Sequence, residues 1–373
     1  MEVKRIAVFG GGNGAYITAA DLALKGYEVN LCEVPEMAKS VGIHELIKAG
    51  GINLEIRANP GLRGGFARLN LITTEAKAAL KGAQVIFVVV PAFAQKRFAE
   101  FMFDSLTPEQ IVVLEPGNFG SFEFAQVMRS NGIKEMPLLV ELQCMVYSGF
   151  KSSPTSVWVS GFKKELKAAA FPATRTGDAL KTLRTLYPGL SPTKNVLGTA
   201  LGNLNIVVHA PILLHSAGWV EHTDGNFNFY WDAFTGSVAR VVQAVDDERL
   251  SVGKALGIDL MSLKDVQIAW YGHQGAKGNT LQEIISTNPA YEWDTSPPKL
   301  RHRFFLEDVP YGMKPLEDLG QLVGINTPTV SAVITLVEKL LGEDLRQNAR
   351  DLRRLGLEGL DTAGIDKLLL EGF

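Results

Sequence analysis

The stretch Gly10-Gly11-Gly12-Asn13-Gly14-Ala15 constrains this chain more than any other. It follows directly on Val3–Phe9, a short apolar run rich in β-branched residues. It precedes Tyr16–Leu24, where Ala19, Ala20, Leu22, Ala23 and Leu24 recur at helical spacing before Gly26 stops the helix. Tyr27–Glu33 then reads as a second strand. A strand, a glycine turn, a helix and a second strand in such short compass predict one βαβ unit with a right-handed crossover.

Within the turn, Gly10-x-Gly12-x-x-Ala15 has the spacing of a dinucleotide fingerprint with alanine in the third small position. Gly10 permits a tight turn, Gly12 lets the backbone approach a pyrophosphate, and Ala15 lets the helix pack close to the strand. Free N–H groups of Gly12, Asn13 and Gly14 then meet the phosphates at the positive end of the helix dipole. Glu33 ends the second strand 18 residues past Ala15. A carboxylate there takes ribose hydroxyls and repels a 2′-phosphate, which favours NAD. NADP stays open, because Lys39 or a nearby arginine could reach the ribose. The competing reading is a glycine turn that merely caps a helix, with Glu33 exposed.

The rest of the first half continues the alternation. Gln84–Val90 is a near-continuous run of Val, Ile and Phe, as expected of a parallel strand buried on both faces. Ile111–Leu114 and Leu138–Leu142 read as further strands. Pro91 ends the Val88-Val89-Val90 strand, either as a simple stop or at the nicotinamide side of the cofactor. From about Leu180 long amphipathic stretches replace strands: Leu197–Leu214, Tyr230–Leu256, Leu316–Gly324, Val330–Leu341 and Asp344–Leu355. The expectation is an α/β fold, a doubly wound parallel sheet of Rossmann type in residues 1–187, followed by an all-helical substrate domain in residues 188–373.

Charge and cysteine content narrow the function classes. Lys plus Arg number 37 against 40 Asp plus Glu, a net charge of −3, without a basic cluster that would grip nucleic acid or an anionic membrane. No apolar run reaches the ~20 residues of a bilayer span. No basic-then-apolar leader precedes the first strand, so a cytoplasmic protein is expected. Two cysteines, Cys32 and Cys144, make neither a disulfide framework nor a cysteine-based zinc site. The six histidines lack His-x-x-x-His spacing, and no metal is expected.

Two segments of the second half carry chemistry-bearing residues. In Gly202-Asn203-Leu204-Asn205-Ile206-Val207-Val208-His209-Ala210-Pro211, His209 interrupts an apolar helix one turn after Asn205, and Pro211 invites a kink beside it. By spacing alone His209 is a satisfied core histidine or a proton carrier. Asn205 holds the ring, a carbonyl or the nicotinamide amide, or else bonds a neighbouring helix. The other segment is Arg301-His302-Arg303-Phe304-Phe305-Leu306-Glu307-Asp308-Val309-Pro310-Tyr311-Gly312. Val309 precedes a proline and is pushed from helical geometry, which puts Asp308 at a helix end or turn. By composition alone this is a surface charge cluster.

Together the glycine turn, the Asn-x-x-x-His-x-Pro helix and the Arg-x-x-x-x-Asp-Val-Pro-Tyr-Gly segment resemble the opine dehydrogenases of octopine, nopaline and carboxyethyl-norvaline type, over nearly the whole length. The resemblance implies a Rossmann domain, a helical domain and a site in the cleft between them. It implies condensation of an amino acid with a 2-oxo acid such as pyruvate, and reduction of the imine by a nicotinamide hydride. It makes His209 the catalytic histidine, Asp308 its carboxylate partner, and Arg303 the binder of the oxo-acid carboxylate. One departure stands out: Met145-Val146-Tyr147-Ser148 replaces a Pro-Tyr pair often found after the sixth strand.

The chemistry of the residues agrees with those roles. Expelling a carbonyl oxygen as water calls for a proton donor, and imidazole suits neutral pH. A carboxylate on its far nitrogen fixes the tautomer, and a guanidinium seats a carboxylate through two parallel bonds. Two other readings compete: a dehydrogenase of a simple 2-hydroxy acid or polyol phosphate, and a dinucleotide sensor without turnover. Partners are small molecules, and the amphipathic C-terminal helices serve either the core or a homodimer.

Overall fold

The computed structural model describes residues 2–58 and 60–373. Twelve strands form two sheets. The first strands are β1 (Arg5–Phe9), β2 (Glu28–Cys32), β3 (Gly51–Ile56), β4 (Gly65–Arg68), β5 (Leu71–Thr73) and β6 (Val85–Val88). They are followed by β7 (Ile111–Leu114), β8 (Leu138–Leu142), β9 (Tyr147–Ser153), β10 (Ser156–Phe162), β11 (Leu166–Phe171) and β12 (Leu190–Pro192). The large sheet runs β12-β11-β8-β7-β6-β1-β2-β5. Its stretch β5-β2-β1-β6-β7-β8 is parallel throughout and has the strand order of a nucleotide-binding doubly wound sheet, with its switch point between β1 and β6. β6, β7 and β8 are buried along their whole length, which explains the uninterrupted apolar sequences of β6 and β7; in β8 the buried Glu141 is the exception, and it accepts from the Ser121 N–H and hydroxyl.

Two features had no counterpart in the sequence reading. β11 pairs antiparallel with β8, and β12 then returns parallel beside it. The division expected at 187/188 therefore moves to after Pro192, because Leu190–Pro192 still pairs with β11 and three residues give no local strand signal. The second sheet, β4-β3-β10-β9, lies over helix α1 (Asn13–Leu24). Its β9 carries Ser148, Gly149, Lys151, Ser152 and Ser153, which have little strand propensity of their own.

Beyond Pro192 every named element is a helix, with longer loops between several of them. The stretch expected as one helix over Leu197–Leu214 is two, Val196–Leu201 and Asn205–His215, with Pro211 inside the second. Taken together, Val196–His215 is long and apolar enough to cross a bilayer by length and composition, and 94% of it is buried within the fold. Asp344–Leu355 is not a helix. There the fully buried Arg350 donates to the carbonyl oxygens of Ala92 and Asn118, to Gln95 Oε1 and to the Glu123 carboxylate, and those bonds override the local periodicity. Val309 keeps helical backbone despite Pro310. Val309–Met313 forms a wide π-turn that joins the short helix Arg303–Leu306 to the helix Lys314–Leu322 and accommodates the missing proline N–H.

Candidate active site

Both halves of the molecule meet at the carboxyl ends of β1 and β6. Gly10 leaves β1 with φ +124°, a left-handed conformation, and a Cβ there would collide with the carbonyl oxygen of Val89 beyond β6. Only glycine fits that approach. Ala15 is fully buried against the same corner. Gly12 stands at the head of α1 in extended conformation, without a side-chain cap, and a Cβ on it would meet open space. The helix N-terminus is thus accessible to an anion, and the residues fit a dinucleotide pyrophosphate.

The flanks of this cradle are polar. Glu33 is buried beside Gly11 and accepts from the Val34 N–H at 2.7 Å. Burial raises its carboxyl above the usual range, while the N–H groups of Val34 and Gly11 oppose the rise. Asn13 turns its Oδ1 to the Lys151 N–H at 3.0 Å, which ties α1 to β9. Gly14 packs under Met145. The Lys151 ammonium was not anticipated. It donates to the carbonyls of Gly11 at 3.1 Å and Val41 at 2.7 Å, and lies 3.7 Å from the Tyr16 ring centroid. Burial lowers its pKa to about 8.

His209 and Asp308, 99 positions apart, are brought together. His209 Nδ1 and Asp308 Oδ2 lie 2.7 Å apart, and their side chains are 5% and 2% exposed. The carboxylate selects the tautomer protonated on Nδ1, and Nε2 then accepts from the Tyr230 hydroxyl at 2.9 Å. Phe304 stacks on the imidazole with ring centroids 3.9 Å apart. Burial, with the charge of Arg303 next, holds His209 well below the usual imidazole range. Burial raises the Asp308 carboxyl to about 7, against the pull of Arg303.

The remaining candidates surround the pair. Arg303 opens the helix preceding Asp308, keeps 42% of its side chain exposed, and pairs with Glu307 at 3.4 Å. Glu307 in turn accepts from the Ala92 N–H at 2.9 Å, so the segment carrying Asp308 is fastened to the turn that Pro91 opens after β6. Asn205 lies one turn before His209. Its Oδ1 takes a weak 3.8 Å contact from the Cys144 thiol, and no bond joins it to the imidazole. Tyr230 and Lys151 were invisible in the sequence because nothing in their local spacing marks them. Glu307 and Phe304 stood within the charged segment already singled out, without a role of their own. Among the described residues no three potential ligands cluster as a metal site.

A cradle that fits a dinucleotide, with a buried, carboxylate-backed histidine in a helical second half, is the outline of a dinucleotide-dependent oxidoreductase. The helical part, residues 192–341, matches the family model described as "NAD/NADP octopine/nopaline dehydrogenase, alpha-helical domain". An opine dehydrogenase of Arthrobacter sp. (strain 1C) is 35% identical over 367 residues, covering 98% of each chain. The chain belongs to the opine dehydrogenase family and is an NAD(P)-dependent oxidoreductase acting on CH–NH donors. Octopine dehydrogenase with NADH and agmatine superposes with a TM-score of 0.77 at 22% identity, covering 99% of this chain and 98% of that one. The same enzyme with NADH and pyruvate superposes with a TM-score of 0.74 at 21% identity and the same coverage.

Proposed function

We propose that this chain catalyses the NADH-dependent condensation of a 2-oxo acid, pyruvate foremost, with the amino group of an amino acid, and the reverse oxidation. The 2.7 Å pairing of buried His209 and Asp308, one residue from the carboxylate that caps Ala92, carries the reading. The names of the related enzymes and the bound molecules of the octopine dehydrogenase structures support the choice of substrates and of NADH.

Gly10, Gly12, Asn13, Gly14 and Ala15 hold the pyrophosphate, Glu33 the adenosine ribose, and Pro91 borders the nicotinamide side. Bound there, the dinucleotide supplies a hydride. Lys151 adds a cation beside the phosphates. Arg303 seats the oxo-acid carboxylate. Its pairing with Glu307 uses one of five N–H donors, and enough remain for a two-pronged grip.

Seating that carboxylate also changes His209. Burial first, and the charge of Arg303 next, depress the imidazole pKa, so an anion bound on Arg303 offsets the second of these and favours the proton on the ring. His209 then gives that proton to the departing carbonyl oxygen, Asp308 stabilises the imidazolium, and Tyr230 keeps the ring in plane. Burial holds the Tyr230 phenol well above its usual range, so it stays protonated; its hydroxyl donates to Nε2 of the neutral ring and must turn aside for the Nε2–H of the imidazolium to reach the substrate oxygen. The Asn205 amide N–H groups face no partner among the described residues and are available to the substrate carbonyl.

NADH consumption, followed by its absorbance against pyruvate and other oxo acids paired with a panel of amino acids, tests the proposal. Turnover should demand both partners. Oxidation of NADH by the oxo acid alone would identify a 2-hydroxy-acid dehydrogenase instead.

A further inference from the structure

Joining an oxo acid to an amino acid brings two carboxylates into one site, and Arg303 accounts for one of them. Lys163 is the other cation whose charge acts on His209. It follows β10 directly, and its N–H donates to the Val146 carbonyl at 2.9 Å, which fixes the backbone beside the Met145–Ser148 turn. The residue is only 6% exposed, yet among the described residues no hydrogen bond or ion pair reaches its ammonium.

The surroundings of that ammonium are unfinished in the same way. It lies 5.1 Å from the Trp270 ring centroid and 5.5 Å from that of Tyr271. Tyr271 meets Tyr291 edge-on at 5.4 Å, Tyr291 stacks on Tyr230 at 4.2 Å, and Tyr230 bonds His209. An aromatic wall thus runs unbroken from Lys163 to the proton carrier. Asp294, 7% exposed, has Oδ1 buried without a partner, and its charge is coupled to that of Lys163. Glu115 likewise leaves Oε2 unpartnered. A structural ion pair would close to contact, because an isolated buried charge costs several kcal/mol. Here the Asp294 oxygen is withdrawn from water, the Lys163 side chain is buried up to its ammonium, and neither group completes its bonds within the chain.

We propose that Lys163 seats the α-carboxylate of the amino-acid substrate, with Asp294 facing its α-amino group, opposite the oxo acid held by Arg303. The inference rests on the condensation reading above. It assigns the two carboxylates of the product to two cations, Arg303 and Lys163. A zwitterion matches a buried, unpaired ammonium and carboxylate better than a simple amine or a second oxo acid does, since it satisfies both charges at once.

Lys163→Met and Lys163→Arg, compared with the unaltered chain, test the seat. Paired probes are L-arginine with agmatine and L-phenylalanine with phenethylamine, each amine lacking only the carboxylate. With saturating NADH and pyruvate, Lys163→Met should raise KM for the better amino acid about 30-fold, the loss expected of a charge-assisted bond. KM for pyruvate and Kd for NADH should stay within about threefold, and the preference for amino acid over amine should vanish. Lys163→Arg should recover much of the loss. An unchanged amino-acid KM, or a rise confined to pyruvate, overturns the seat. Should Lys163→Met fail to fold, Lys163→Gln, which also removes the charge, decides by the same split between the two KM values. Calorimetric binding of the amino acids to the NADH-loaded protein reads the seat apart from turnover. Lys163-dependent binding without any turnover would sink the condensation reading and spare the seat, and turnover indifferent to Lys163 would do the reverse.

Discussion

The proposed cofactor cradle and the His209–Asp308 pair are built by opposite means. The cradle is a run of six consecutive residues, Gly10–Ala15, whose effect comes from backbone: a left-handed Gly10, an uncapped helix start at Gly12, and an approach to Val89 that no side chain permits. The pair is made of two side chains 99 positions apart, dehydrated and held by Tyr230, Phe304 and the Glu307 clasp on Ala92. Backbone geometry is encoded locally and reads directly from sequence. A side-chain constellation depends on tertiary packing, and its members look ordinary until the chain has folded around them.

The contrast makes separable demands on binding and rate. The largest effect should follow His209→Ala: kcat/KM for condensation falls about 1,000-fold, the scale of a lost general acid, while fluorescence titration finds NADH affinity within about threefold. A comparable loss of NADH affinity would show that the two regions are not independent. Gly10→Ala attacks the other side. Forcing a side chain into φ +124° against the Val89 carbonyl should weaken NADH binding about 30-fold and lower Tm, with His209 and Asp308 left in place. The smallest change should be Lys151→Met, about 10-fold in NADH Kd. Lys151 titrates at about 8 in the folded protein, so its charge is complete below that pH and fades above it. NADH affinity of the unaltered chain should therefore decline between pH 7 and pH 9, and the Lys151→Met variant should have a flatter profile in the same titration.

How much of this was legible follows from the same distinction. β6 and β7 announce themselves because buried parallel strands favour uninterrupted apolar sequence, and β1, β2 and β8 because apolar residues still dominate them. The second sheet does not, since Tyr147–Ser153 earns its strand geometry from pairing with β10 rather than from its own residues. Asp344–Leu355 has helical spacing, but Arg350 is drawn into a fully buried set of four acceptors that a helix there would not reach. His209, Asp308 and Arg303 could be named only through their resemblance to a family, because spacing alone left each with an ordinary structural explanation. Tyr230 and Lys163 lacked even that signal.

The π-turn at Val309–Met313 inserts one additional residue per turn between the segment bearing Arg303 and Asp308 and the following Lys314–Leu322 helix. Removing a single amino acid from it would restore ordinary α-helical winding and swing the upstream segment by about 100° about its axis, since each residue advances a helix by that angle. Asp308 would then point away from His209 although every functional group was retained. The reactive geometry is in this respect a matter of phase, and a deletion that spares all named residues would disarm the protein as thoroughly as replacing one of them.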